Sequence, residues 1–473
     1  MLSWDAQRVA HLAGADLLVA PLDSAGPTRV SIDSRDVGPG VLFVGLPGAH
    51  VHGGAFARTA LEAGAWGVLT DSERAGAMAD HEFSHGQRAA DGAADPTRQD
   101  AVSAGARPAA LMSAPDPLRA LQRLATAWRR ELGAQVIAVT GSTGKTSTKD
   151  ILSALLGPQR RTAASRENFN TEIGLPLELL AAPAGTEVLV LEMGMRGPGQ
   201  IAELAAIAEP DVGVIVSIGP VHLELLGSLE AIAAAKAELI AALAPGATAV
   251  VPAHEPLLES HLRADLRTVS FGPGGDVVLV SETAGSVEID DAGTRISLGV
   301  DFAQAHLRRN LLAAVAAARA VGVTPAGRIH LQLSAGRGQR VELADGVTLL
   351  DDAYNANPMS MRAALDELAA VAAETHPRRR VAVLGDMLEL GSGARDFHRE
   401  IGTHACGRAD VLITVGPLAA AMAETFAGAS HPTADAAEAT QTLRELLRSG
   451  DTVLVKASNG VRLKQVCEAL VLA

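Results

Sequence analysis

The stretch VIAVTGSTGKTSTKD, Val136 to Asp150, decides how the chain is read. An apolar run of strand type enters a glycine-bearing turn, and STKDILSALL then follows with helical character. In that arrangement the backbone N–H groups at the helix N-terminus cradle a phosphate. A strict Walker A loop, G-x-x-x-x-G-K-[ST], needs a glycine at position 139, but Val139 stands there and the loop reads T-G-S-T-G-K-T. Gly141 and Gly144 free the backbone to wrap the phosphates, Lys145 reaches the β/γ-phosphates, and the Thr146 hydroxyl offers Mg²⁺ a hard oxygen.

Around this loop the chain has the organisation of a multidomain α/β protein. Its 473 residues exceed what one core serves, so two to four domains are expected. The strands VIAVT, EVLVLEM, VGVIVSI and TAVVP are nearly continuous apolar runs separated by helical stretches such as SLEAIAAAKAELIAAL, the mark of a buried, doubly wound, mostly parallel sheet. A strand-and-turn-rich stretch follows, from DVVLVSE to ISLGVDF, and then the helix LRRNLLAAVAAARAVG. A smaller α/β unit precedes the loop (VSIDSRDVGPGVLFVGLPG, AFARTALEAGAWGVLT). A third α/β pattern of Rossmann-like alternation starts near Gly338: VTLLDDAYNANP, MRAALDELAAVAAE, RRVAVLGDML, VLITVG and TVLVKAS. The boundaries read as 1–113, 114–337 and 338–473. PDPLRALQRLATAWRREL shows helical spacing with Asp116 as N-cap and Pro117 at N1. Residues 75–107 lose every apolar period and read as a disordered insertion; His81 and His85 within it, four apart, are weak as a metal pair.

Composition narrows the function. Hydrophobic residues at 48% and charged residues at 20% describe an ordinary globular chain. A net charge of −14 and only 3% aromatics argue against a nucleic-acid partner, which needs cationic excess and stacking platforms. Two cysteines, Cys406 and Cys467, form no disulfide framework or metal spacing, so a reducing cytoplasm is the expected setting. No secretory signal is visible at the N-terminus, and no apolar run approaches the roughly 20 residues that span a bilayer.

Several other residues stand where chemistry is done. Glu192 ends the strand EVLVLEM, and ligands in doubly wound sheets bind outside the carboxyl ends of strands; Mg²⁺ prefers such hard oxygens. His222 follows the next strand, in SIGPVHLELLG. Lys236, flanked by alanines in its helix, reads by default as a lysine on a solvated face. LLDDAYNANPMSM gathers Asp351, Asp352, Tyr354, Asn355 and Asn357 at one strand end, with Pro358 at N1 of the next helix. A second such strand end is LGDMLELG.

Taken together, TGSTGKTS, the Glu after LVL, HLELLGSLEAIAAAKAEL, DDAYNANPMSM and GDMLELG resemble the Mur ligases, and the resemblance covers the chain outside 75–107. It implies a cytoplasmic, monomeric, ATP-dependent acid–amino acid ligase of cell-wall peptidoglycan synthesis. DDAYNANP and GDMLELG resemble the branch that joins D-alanyl-D-alanine to UDP-N-acetylmuramoyl-tripeptide through an acyl phosphate. The resemblance assigns Gly141, Ser142, Thr143, Gly144, Lys145, Thr146 and Ser147 to ATP. It gives Thr146, Glu192, His222 and Lys236 to two Mg²⁺ ions, Lys236 as a carbamate, which inverts the solvated-face reading. Asn310 resembles an adenine contact, Arg340 in GQRVEL an arginine reaching the γ-phosphate from the third domain, and Asp352 a ribose-binding acid with Tyr354, Asn355 and Asn357 beside it. Lys145, Glu192, His222, Lys236 and Arg340 form the implied catalytic set. Asn168, Asn170 and Thr171 in NFNTEIGLP resemble a substrate loop, and Ser31, Asp33, Ser34 and Arg35 a uridine-nucleotide segment. Lys456, Ser458 and Arg462 fall where dipeptide contacts are expected.

The chain departs from the family pattern in four places. His52-Gly53-Gly54-Ala55-Phe56 replaces D-G-H-x-F, and Ser217 replaces Asn. Pro252-Ala253-His254-Glu255 stands for N-x-D-D, and KASNGVRLK, with Asn459, for K-G-S-R. A sister ligase of the folylpolyglutamate type, or one adding a different amine, remains an alternative, although the D-N-P-R string of the diaminopimelate-adding relatives is missing. A P-loop nucleotide switch is the alternative from another class; it predicts an N-K-x-D motif, which the sequence lacks.

Overall fold

The computed structural model describes residues 4–21, 25–79, 109–166, 168–283, 285–332, 334, 336–374 and 379–472. The chain forms mixed α/β structure with three sheets and divides into two compact units, Met1–Val136 with Arg160–Leu191 and Glu203–Pro210, and Ile137–Gln159 with Glu192–Ala202 and Asp211–Ala473.

In the first unit, strands Asp16–Val19, Ala110–Ser113, Gly67–Thr70, Val41–Val44 and Arg29–Ser31 lie side by side in that order. The first pair is antiparallel and the rest parallel. Val41–Val44, Gly67–Thr70 and Ala110–Ser113 are buried along their whole length, as uninterrupted apolar strands of a covered parallel sheet should be. Helix Pro117–Leu132 starts as its sequence dictates: the Asp116 side chain accepts the Arg119 N–H at 3.1 Å, and Pro117 occupies the first turn. Strands Thr162–Ala164 and Val188–Glu192 pair in parallel. One expectation is corrected here. Residues 72–79 are helical and Ala75 is fully buried among Phe43, Ala57, Ala60 and Val68, so 75–79 belong to the core, not to an insertion. A run of Ala, Gly and Met is too short and too weakly apolar to announce that helix. Residues 80–107, with His81 and His85, lie outside the described residues.

In the second unit, strand Gln135–Thr140 pairs in parallel with Val212–Ile215, which neighbours Thr248–Pro252 and then Arg267–Phe271, all parallel. The sheet continues through the meander Val277–Thr283, Ser286–Asp291 and Thr294–Val300, antiparallel as its turn-rich sequence suggests, to Gly327–Ile329. Val136 to Val139 have no exposed surface, which anchors the strand feeding the phosphate loop. The six-stranded sheet runs Gln339–Glu342, Thr348–Asp351, Thr452–Lys456, Arg380–Gly385, Val411–Val415, Ala429–Thr433, with only the first pair antiparallel. Its last strand, ASHPT, tolerates Pro432 because an edge strand can spare a ladder donor. Asn357 caps the helix Pro358–Ala372 in a reciprocal capping box with Ser360. Among the described residues no helix is long and apolar enough to cross a membrane.

Candidate active site

The phosphate loop closes on itself as its glycines require. Gly141 and Gly144 have φ of 155° and 80°, and helix Lys145–Leu156 begins directly after Gly144. A Cβ at Gly144 would lie 2.6 Å from Asn310 Oδ1, so only glycine fits beneath that side chain. Ser142 Oγ donates to Gly219 O (3.0 Å) and accepts the Gly219 N–H (2.9 Å). Ser217, where Asn is usual, serves the loop: its Oγ accepts the Thr143 N–H at 2.9 Å and donates to Thr143 O at 3.0 Å, while its carbonyl accepts the Ser142 N–H at 2.9 Å. A hydroxyl that both donates and accepts does here what an amide would.

Around the loop stand its charged groups. Lys145 Nζ donates to Gly141 O at 3.0 Å. Its surroundings desolvate the ammonium and hold its pKa below the usual lysine value; Glu192 opposes that shift and the positive charge of Arg337 adds to it. Thr146 Oγ1 donates to Glu192 Oε2 at 2.8 Å, with both residues buried. Asn310 is 4% exposed, and among the described residues its Nδ2 has no hydrogen-bond partner. Such an orphaned buried donor costs free energy unless a ligand satisfies it.

Lys236 is only 3% exposed, which overturns the default reading of a solvated lysine. Its helix, Leu229–Ala242, buries Ile232, Ala233, Ala237 and Ile240 beside it. Among the described residues no carboxylate forms an ion pair with it. Desolvation pushes its pKa well below the ordinary lysine value, and the Lys145 charge adds to that. His222 adopts positive φ (53°) and bonds through Nδ1 to the Glu389 carboxylate. Burial lowers its pKa; Glu389 opposes the shift, and the charges of Lys236 and Lys145 reinforce it.

Three expected site residues make other contacts. Arg340 is committed elsewhere: its Nε donates to Glu342 at 3.1 Å and its Nη1 to Glu374 at 2.6 Å. The guanidinium whose charge reaches Lys145 is that of Arg337, three residues earlier, which stacks 3.9 Å from the Tyr354 ring centroid. Lys456, expected at a dipeptide, is 2% exposed; its Nζ donates to Asp352 Oδ2 at 2.5 Å and to Asn355 O at 2.9 Å. Ser458 is likewise internal, its Oγ accepting the Leu388 N–H at 2.9 Å. Both tie strand ends together. Asn355 Oδ1 accepts the Ala356 N–H at 2.9 Å, and Asn357 is the helix cap already described. Arg337 and Glu389 were missed in the sequence. G-R-G after the linker and the acid of GDMLELG were the available signals, but neither says which of several charges is held inward.

The first unit holds the remaining expected residues. Asp33 caps the short helical turn Ser34–Asp36, and Arg35 clamps its carboxylate at 2.9 and 2.7 Å, which holds the Asp33 carboxyl down to about 2. Ser31 Oγ accepts the Asp33 N–H at 3.2 Å. The departure at His52 to Phe56 is built in. His52 Nδ1 accepts the Gly54 N–H at 3.0 Å, and a Cβ at Gly54 would lie 2.3 Å from Thr70 Oγ1, so no side chain fits there. In the loop of Asn168, Asn170 and Thr171, the Asn170 N–H bonds Asn168 O at 2.8 Å and Thr171 Oγ1 accepts the Gly174 N–H at 3.3 Å.

A strand–loop–helix phosphate cradle, a hydroxyl–carboxylate pair, two desolvated lysines and an arginine just before the following six-stranded sheet define an enzyme acting on a nucleoside triphosphate. The chain belongs to the Mur ligase family. Family models match at residues 28–127 (Mur ligase family, catalytic domain), 139–318 (Mur ligase middle domain) and 336–459 (Mur ligase, glutamate ligase domain). The chain is 37% identical to the UDP-N-acetylmuramoyl-tripeptide–D-alanyl-D-alanine ligase of Mycobacterium tuberculosis, over 100% of this chain and 98% of that one. It is 34% identical to the Bacillus subtilis ligase of the same name, over 93% of each. Among solved structures it is similar to MurF of Acinetobacter baumannii (25% identity, TM-score 0.82, 99% of each chain). It is also similar to MurF of Thermotoga maritima in complex with ADP (29% identity, TM-score 0.76, 93% of this chain and 96% of that one).

Proposed function

We propose that this chain is the cytoplasmic ligase that joins D-alanyl-D-alanine to UDP-N-acetylmuramoyl-tripeptide at the expense of ATP, in peptidoglycan precursor synthesis. The observation that carries the reading is the convergence of Lys145, Thr146–Glu192 and Asn310 on one phosphate loop, with the charge of Arg337 acting on Lys145. The full-length similarity to ligases of that name supports it. The three successive family-model matches support a three-part chain, for which we keep the bounds 1–113, 114–337 and 338–473.

A carboxylate is a poor acyl donor, so the reaction needs a leaving group. An oxygen of the tripeptide's terminal carboxylate attacks the γ-phosphorus, the bond to the β-phosphate oxygen breaks, and ADP leaves. The amine of D-alanyl-D-alanine then attacks the acyl carbon; the C–O bond to phosphate breaks, the amide forms, and the amine's proton passes to solvent or phosphate. Lys145, Arg337 and the loop N–H groups bind and orient the transferring phosphoryl, and little covalent chemistry is left to the protein. Asn310 Nδ2 takes its missing acceptor from the nucleotide, and Asp352 with its neighbours flanks the ribose. Thr146 and Glu192 would hold Mg²⁺, whose preference for one or two carboxylates plus phosphate oxygens and waters matches this donor set. When bound, the ion neutralises phosphate charge. A second ion would need His222 with Lys236 as a carbamate, since an amine so buried has no cationic partner role. Asp33 and Arg35 serve the uridine nucleotide, and Asn168, Asn170 and Thr171 the tripeptide side. The protein acts as a monomer without nucleic acid or membrane insertion.

Phosphate release from ATP tests the reading. With UDP-N-acetylmuramoyl-tripeptide present, release is expected to require D-alanyl-D-alanine and to be poorly supported by single amino acids. Release that ignores the dipeptide would sink it.

The two arginines offer a second test. Arg337→Ala is expected to lower kcat about 10²- to 10³-fold, the usual loss when one oriented charge is withdrawn from a developing anion. Arg340→Ala removes only part-exposed pairs with Glu342 and Glu374, so kcat should stay within a few-fold. The opposite ranking in steady-state kinetics would return the role to Arg340.

A further inference from the structure

Glu389 reaches across from the loop that follows strand Arg380–Gly385 to the loop that follows Val212–Ile215. Its carboxylate bonds His222 Nδ1 and stands 3.5 Å from Arg196 Nη2, and its carbonyl accepts the Glu224 N–H at 3.1 Å. His222 and Glu389 are both non-glycine residues at positive φ, 53° and 62°. That conformation is unfavourable for L residues and persists where the surroundings hold it. Here each holds the other. The Glu389 loop is itself braced from behind. Nε2 of the fully buried His398 accepts the Met387 N–H at 2.9 Å, His398 Nδ1 donates to Ala394 O at 2.6 Å, and Ser458 Oγ accepts the Leu388 N–H.

We propose that Glu389 is a positioning residue that acts through His222. Its carboxylate keeps the proton on Nδ1, which leaves the Nε2 lone pair as the ring's only acceptor and fixes the plane in which it is presented. Because the carboxylate arrives from the six-stranded sheet, His222 is correctly set only when that sheet is seated against the nucleotide-binding sheet. The inference rests on the assignment of His222 to the reacting end of the site.

Two amides that differ by one methylene test it. Glu389→Asn suits a positive φ but is too short to reach the imidazole, whereas Glu389→Gln keeps an acceptor at the right distance. Nitrogen NMR of histidine-labelled full-length protein, with His222→Gln to assign the signal, is expected to show the Nδ1–H tautomer in the parent and in Glu389→Gln and to lose it in Glu389→Asn. Ligation kcat should fall about 10- to 100-fold in Glu389→Asn, the usual loss when a ligand histidine's outer partner is removed, with most of it restored in Glu389→Gln. In a His222→Gln background, Glu389→Asn should add nothing. An unchanged tautomer in Glu389→Asn, equal damage from both amides, or a further fall in the double variant would overturn the proposal. The NMR arm uses no substrate, so it stands or falls apart from the dipeptide dependence above.

Discussion

Lys145→Met is expected to lower kcat for phosphoryl transfer about 10²- to 10³-fold, equivalent to about 3–4 kcal/mol of lost transition-state stabilisation, without lowering thermal stability. Among the described residues Lys145 Nζ donates only to the carbonyl of Gly141, and its charge is disfavoured by desolvation and by Arg337 while Glu192 opposes them. A cation kept in such surroundings gains its full value when the ATP phosphates arrive, and that gain grows as charge develops on the transferring group. Lys145→Arg should not rescue the activity, because a planar guanidinium cannot occupy the place of a compact ammonium under a tight loop. Rapid-quench measurement of acyl-phosphate formation from labelled ATP, with calorimetry of the free protein, checks both halves. A kcat within a few-fold of the parent would remove Lys145 from the phosphoryl-transfer step.

How much of this was legible depended on whether the cause was local. The phosphate loop announced itself because strand, glycine turn and helix lie within fifteen consecutive residues, Val136 to Asp150. The cap at Asp116 and the helix start at Pro358 were legible for the same reason, since a cap and its N–H partner sit three residues apart. Arg337 and Arg340 were not separable by that logic. Both are arginines in the same GRGQR stretch, and what distinguishes them is Glu374, far along the chain, which claims one and leaves the other stacked on Tyr354. Lys456 reads as a dipeptide contact in the sequence because its partner, Asp352, lies 104 residues away. The burial of Lys236 was hidden by an alanine-rich helix in which no polar face can be told from an apolar one. The family resemblance supplied that residue where periodicity could not. Local grammar gave the loop and the helix starts; the charges that act on the loop are chosen by tertiary contacts.

Lys236→Met is expected to abolish ligation and yet to stabilise the protein in bicarbonate-free buffer at neutral pH. The second half follows from linkage. Burial holds the folded-state pKa of Lys236 well below its unfolded value, so below the ordinary lysine pKa of about 10.4 the unfolded chain binds a proton that the folded chain resists. Stability is therefore lost as pH falls from that value toward the lowered folded pKa, and methionine, of similar length and without the amine, removes the loss. The first half follows from what a neutral buried amine can do. It can add to CO₂, forming the N–C bond and releasing its proton to solvent, which turns a neutral amine beside Lys145 into an anion that Lys145 and a divalent ion would favour. In the parent, labelled bicarbonate should give a carbamate carbon signal that is absent in Lys236→Met, and activity should fall as bicarbonate is depleted and return on its addition. Short carboxylic acids supplied to Lys236→Ala should restore part of the rate by placing a carboxylate in the emptied space. Full activity in Lys236→Ala, or a parent indifferent to bicarbonate and free of the carbamate signal, would leave Lys236 as a buried lysine with no part in the reaction.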